Sequence, residues 1–61
     1  MPKFEKYGTD FIYTDEYGGS LYLHGAWLPF RYFDDGSIDI LSDEKFPTHE
    51  AAFDKYKEIY T

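Results

Sequence analysis

The sequence predicts an α+β fold: an antiparallel β-meander of three or four strands with one C-terminal α-helix packed on one face. Three observations carry this. Trp27 to Leu41 forms a hairpin pattern around Asp34-Asp35-Gly36. Residues 10–26 alternate large and polar side chains around Gly18-Gly19, and residues 48–60 place apolar groups at helical spacing. The 61 residues form one small domain, with an irregular lead-in over 1–9, the meander over 10–41 and the helix over 48–60.

In chain order, residues 1–9 show no clear periodicity, though Phe4 or Tyr7 could pin them to the body. From Asp10 to Tyr17, Phe11, Tyr13 and Tyr17 share one parity and Ile12, Thr14 and Glu16 the other, as in a strand. Gly18-Gly19 marks a turn into a second strand from Ser20 to Ala26. A two- or four-residue loop there gathers Ile12, Leu21 and Leu23 into one aliphatic stripe. Phe11, Tyr13, Tyr22 and His24 then lie on the opposite face; a three-residue loop would instead pair Tyr13 with Leu23. The first arrangement is favoured, with the helix covering the aliphatic stripe.

A tight II′ turn at His24-Gly25-Ala26-Trp27 would have Gly25 as its first central residue. Pro29 has no N–H to donate to a ladder. Either it lies beyond the paired part of the third strand, giving four strands, or residues 20–33 form one broken strand, giving three. The last hairpin is the clearest element. A three-residue loop ending in Gly36 suits a type I turn closed by a left-handed glycine. It pairs Phe33 with Ser37, Tyr32 with Ile38, Arg31 with Asp39 and Phe30 with Ile40, putting opposite charges on one face and apolar pairs on the other. Thr48 follows Pro47 as an N-cap, and Glu50 places negative charge in the first turn. Ala52, Phe53, Tyr56, Ile59 and Tyr60 form one apolar helix face. Such a helix is too short to hold without the sheet.

The chain has no cysteine, which excludes disulfides and thiolate metal sites. A domain this size hides only about 60% of the surface its unfolded chain exposes. Fourteen aromatic residues compensate for a short aliphatic inventory. Seven of them are tyrosines, more than a small interior can hold, so some rings are expected at the surface, where they suit an interface. Net charge is −6, and residues 7–44 alone carry −7, with Arg31 their only base. That field repels a phosphate backbone and attracts a basic surface. Without an 18-residue apolar run or the apolar segment of a signal peptide, the expected compartment is the cytoplasm.

His49-Glu50-Ala51-Ala52-Phe53 begins like the zincin pattern, but Phe53 stands where the second histidine ligand belongs. The carboxylate pairs Asp15-Glu16, Asp34-Asp35 and Asp43-Glu44 all fall in turns or loops, where acids are usual. General acid–base work needs a cleft with shifted carboxylates, and so short a chain is expected to offer little cleft. No catalytic residue, metal site or cofactor is expected.

In a four-stranded meander, Asp15, Glu16, Asp34 and Asp35 gather at one end with Asp39 nearby; in a three-stranded sheet they separate. The same acids would also serve as an ordinary solubilising surface. In element order the chain resembles the DNA-binding domains of integrase arms and plant AP2 factors, but those read DNA with a basic sheet, so direct nucleic-acid binding is excluded. The expected function is a non-enzymatic acidic protein-binding module that occupies the basic, nucleic-acid-binding surface of a larger protein. Asp15, Glu16, Asp34, Asp35 and Asp39 would carry it, with Tyr13, Tyr17 and Tyr22 on an open sheet face supplying cation–π contacts. In size and charge the chain resembles small acidic inhibitors made by bacteriophages, including anti-CRISPR proteins and other DNA mimics. The alternative is a structural or regulatory homo-oligomer, such as a homodimer, whose open aromatic face is self-complementary.

Overall fold

Five antiparallel strands follow one another in space in the order of the chain, and a helix closes the sequence. The structure, a computed structural model, describes residues 2–8 and 10–60, without the side chains of Tyr7 and Tyr60. The strands are β1 (Lys3–Tyr7), β2 (Asp10–Thr14), β3 (Gly18–Leu23), β4 (Ala26–Tyr32) and β5 (Ile38–Ile40), and the helix is α1 (His49–Tyr60). The fold is α+β. Among the described residues no helix is long and apolar enough to cross a membrane.

The last hairpin pairs as its turn chemistry dictates: Phe30 with Ile40, Arg31 with Asp39 and Tyr32 with Ile38. The Phe33 amide bonds to the Ser37 carbonyl at 2.8 Å, and Gly36 has φ 89°, the left-handed value its position requires. In the β2–β3 hairpin Ile12 and Leu21 share a face, as an even loop requires. The expected turn is misplaced, however: the chain turns at Glu16-Tyr17, and Gly18 and Gly19 both lie in β3, where Gly19 pairs with Thr14. Thr48 caps the helix, its hydroxyl accepting the Ala51 amide at 3.1 Å.

Three further expectations about the strands are corrected. The lead-in is a strand, because β1 pairs with β2 from Lys3↔Thr14 to Tyr7↔Asp10. Its Lys-Phe-Glu-Lys-Tyr pattern alternates too weakly to announce itself. The β3–β4 turn lies one residue earlier than expected: Leu23 pairs with Ala26, so His24 (φ 52°) and Gly25 (φ 81°) are both left-handed central residues. That is a type I′ turn, whose twist matches the flanking strands. Pro29 lies inside β4, opposite Ser20. The Tyr32 amide bonds to the Tyr17 carbonyl at 2.8 Å, and ladder alternation from that pair makes Ser20–Pro29 a non-hydrogen-bonded pair. The missing N–H therefore faces β5, where the Leu41 amide reaches the Pro29 carbonyl at 2.9 Å and the ladder stops. The chain bulges outward over residues 42–45 and returns at Phe46, which exchanges two hydrogen bonds with Trp27.

The helix covers the opposite face from the one expected. Ile12, Leu21 and Phe30 are buried together on one side, with Leu23, Tyr32 and Ile38 packed around them. Helix α1 lies on the other side, where the Phe53 ring meets Tyr13 at 5.4 Å and Tyr56 lies over Gly18. The aliphatic stripe is closed by the curl of the sheet itself. Lys3 and Glu5 on β1 line one cleft with Tyr32 on β4, although two strands separate them. The helix in turn needs a flat seat. Gly18 and Ser20 provide it, so Ala52, Phe53 and Tyr56 bury almost completely. Ile59 is exposed at the far end of the predicted helix face, and the Tyr60 side chain lies outside the described residues.

Ser20 makes this seat at a cost. Its hydroxyl is wholly buried and has no hydrogen-bond partner among the described residues. A buried hydroxyl left unpaired loses its hydration without replacement. Ser20→Ala is therefore expected to stabilise the fold by about 1 kcal/mol, read as a higher urea midpoint at unchanged slope. A lower midpoint would show that the hydroxyl has a favourable role.

Candidate protein-binding surface

The β2–β3 and β4–β5 loops lie at the same end of the sheet, joined by the hydrogen bond from Tyr32 to Tyr17. This brings Asp15 and Glu16 to the end that also carries Asp34 and Asp35, the arrangement expected of the four-stranded meander. The acids divide by what they already do. Asp15 Oδ1 accepts the Tyr17 amide at 2.8 Å, the Gly18 amide at 3.1 Å and the Tyr56 hydroxyl at 3.1 Å. It holds the loop and ties the helix to it. Asp39 lies 3.5 Å from the Arg31 Nε, an exposed ion pair of small energetic weight. The distance is too long for a good hydrogen bond, and among the described residues the buried Nε has no other partner. The Arg31 guanidinium also lies 4.9 Å from the centre of the exposed Phe33 ring.

Asp35 closes the β4–β5 turn. Its carboxylate accepts the Ser37 hydroxyl at 2.7 Å and the Ser37 amide at 2.9 Å. The hydroxyl first, then the amide, hold its pKa below the ordinary 3.8. A depressed folded value means stabilisation that is complete above 3.8 and lost as pH falls through the folded value. The stability difference between the protein and Asp35→Ala is therefore expected to shrink below about pH 4; a difference constant with pH would contradict this.

Glu16 and Asp34 are exposed and make no hydrogen bond or ion pair among the described residues. Of the expected tyrosines, only Tyr17 stands at this end, with more than half its surface exposed to solvent. Tyr13 is on no open face: it lies under the helix, its ring 4.5 Å from His49 and 4.8 Å from Phe4. Tyr22 is partly exposed at the other end of the sheet, 5.2 Å from Trp27.

Two clefts flank these features. One, of about 400 Å³, is lined by Lys3, Glu5, Thr14, Asp15, Glu16 and Tyr32, more of a cleft than so short a chain was expected to form. Its charged groups are largely engaged, since Lys3 pairs with Glu5 at 3.1 Å and Asp15 holds the turn. The other, of about 420 Å³, lies beside the start of the helix and is walled by Phe4, Phe11, Tyr22 and Trp27. Sequence reasoning missed Phe4 and Trp27 there. Once β1 is paired, the register alone brings Phe4 next to Tyr13 and Phe11 next to Tyr22. Among the described residues no cluster of His, Cys, Asp and Glu could hold a metal ion. No family model, curated protein or solved structure matches the chain.

Proposed function

We propose that this protein is a non-enzymatic binding module that docks its acidic loop end on the basic surface of a larger protein, as an inhibitor standing in for nucleic acid would. The observation that carries this reading is the convergence of two acidic loops at one end of the sheet. Asp15 and Asp35 stiffen those loops, and Glu16 and Asp34 are left free for a partner. Loops rigid before binding lose less entropy on docking. The exposed Tyr17 and Phe33 rings at the same end supply apolar contact amid the charge.

The division among the acids gives a clean test. Glu16→Lys with Asp34→Lys reverses two charges without touching a hydrogen bond of the loops. The chain immobilised on a column is expected to retain a basic protein from its host at low salt and release it as screening rises. The double variant is expected to bind that protein at least about tenfold more weakly, and the intact chain to compete with nucleic acid for it. Equal binding by the double variant would overturn the reading.

A further inference from the structure

The cleft lined by Thr14 and Tyr32 is the mouth of the curled sheet, and it opens at the acidic end. Lys3 is the ladder partner of Thr14 on β1, and the Tyr32 amide is bonded to the Tyr17 carbonyl. Between them lies a space of about 400 Å³, with Asp15 and Glu16 at its lip. Thr14 is its floor, the one buried residue among those that line it, at 5% exposure. The Thr14 hydroxyl makes no hydrogen bond among the described residues. It is not sealed in either: among the described residues only Ser20 and Arg31 hold an unpartnered side-chain atom shut away from the surface. What surface the hydroxyl keeps therefore opens on the cleft. A group so placed has given up nearly all its water and taken no partner in exchange.

We infer that this cleft is a socket for one guanidinium, the side chain of an arginine on the basic partner, which donates to the Thr14 hydroxyl at the floor and to Asp15 and Glu16 at the lip. The charges select a cation. Lys3 and Glu5 neutralise each other at 3.1 Å, which leaves the two lip carboxylates uncompensated. All three hydrogen bonds to Asp15 fall on Oδ1, so Oδ2 is open to a donor, as is the whole Glu16 carboxylate. The spread of the acceptors selects the kind of cation. Among the described residues no group of His, Cys, Asp and Glu converges closely enough to hold a metal ion. Acceptors at floor and lip suit a charge shared over several N–H groups, and guanidinium carries five in a planar fork. A lysine ammonium is a compact point charge and cannot span them in the same way. Tyr32 forms a wall, its ring fixed by the perpendicular ring of Phe30 at 5.3 Å, and offers the plane a surface to stack on.

The socket rests on the docking reading for the source of the arginine, but its test needs no partner. Ethylguanidinium is titrated into the chain in the millimolar range at constant ionic strength, with ethylammonium as the comparison, and amide resonances are followed by NMR. Shifts are expected at Thr14, Glu16 and Tyr32, with ethylguanidinium bound at least about threefold more tightly than ethylammonium. Thr14→Val keeps the shape of the side chain and removes the hydroxyl, so it should bind ethylguanidinium about tenfold more weakly. Glu16→Gln disturbs no hydrogen bond of the fold and should also weaken it. Asp43→Asn removes the same unit of charge from an exposed position outside the cleft and should not. Shifts spread over all the acidic loops, equal affinity for the two probes, or unchanged binding by Thr14→Val and Glu16→Gln would each overturn the proposal. Such a result beside salt-sensitive retention of a basic protein would strike the socket and spare the docking. Binding of ethylguanidinium at Thr14 by a chain that retains no protein would strike the docking and leave the chemistry of the cleft standing.

Discussion

Replacing Phe30 with alanine is expected to leave most of the molecules unfolded at room temperature. Phe30 is completely buried at the centre of the curled face, between Ile12, Leu21 and the perpendicular ring of Tyr32 at 5.3 Å. It stands opposite Gly19 on β3, where no side chain could fill the space its ring leaves. Emptying such a site costs about 3–5 kcal/mol. At about 0.05–0.15 kcal/mol per residue, a chain this short has about 3–9 kcal/mol in total, and a domain that buries so small a share of its surface belongs at the low end of that range. Far-ultraviolet dichroism and urea titration give the answer. A loss under about 1 kcal/mol would mean that the curled face is not the main core.

The second large effect is expected at Gly18. A β-carbon there would lie against the Phe30 carbonyl oxygen, 2.7 Å from the Arg31 Cα and 2.9 Å from the Tyr56 ring. Two of these neighbours are backbone and cannot rotate aside. Gly18→Ala must therefore push β3 from β4 or lift the helix, at a cost of about 1–3 kcal/mol or more. Lifting the helix would also pull the Tyr56 hydroxyl from Asp15, so the β2–β3 loop should loosen with it. Faster amide exchange at Tyr17 and Gly18 in the variant would report this. A variant as stable as the parent, with unchanged exchange, would show that the seat is not tight. Ser20→Ala, two residues along the same seat, is expected to act in the opposite direction, because it removes an unpaired group without adding an atom.

Particular residues show where sequence reasoning held. Asp34-Asp35-Gly36 defined its hairpin and register because turn geometry depends on residues within reach of one another. Thr48 and the spacing of Ala52, Phe53 and Tyr56 placed the helix for the same reason. Lys3 to Tyr7 was missed because an edge strand with charge at both parities shows its pairing only through its neighbour. Pro29 misled because a missing donor matters only on the side its N–H would face, and the register with β3 turns that side to β5, where the ladder ends. At the acidic end, the loops that meet were legible from strand alternation. That Asp15 and Asp35 serve the loops, leaving Glu16 and Asp34 free, was visible only in the hydrogen bonds.

The sequence by itself determined the α+β class, the order of the sheet's hairpins, the start of the helix and the concentration of acids in loops, because each follows from local conformational preference or simple alternation. Only the tertiary structure decided which face the helix takes. Covering the aliphatic stripe was the reasonable expectation for a flat sheet, but this sheet curls until the stripe covers itself. The helix then settles where Gly18 and Ser20 leave room for it, beside rings that remain bare. That choice depends on the fit of surfaces distant along the chain, which residue spacing does not encode.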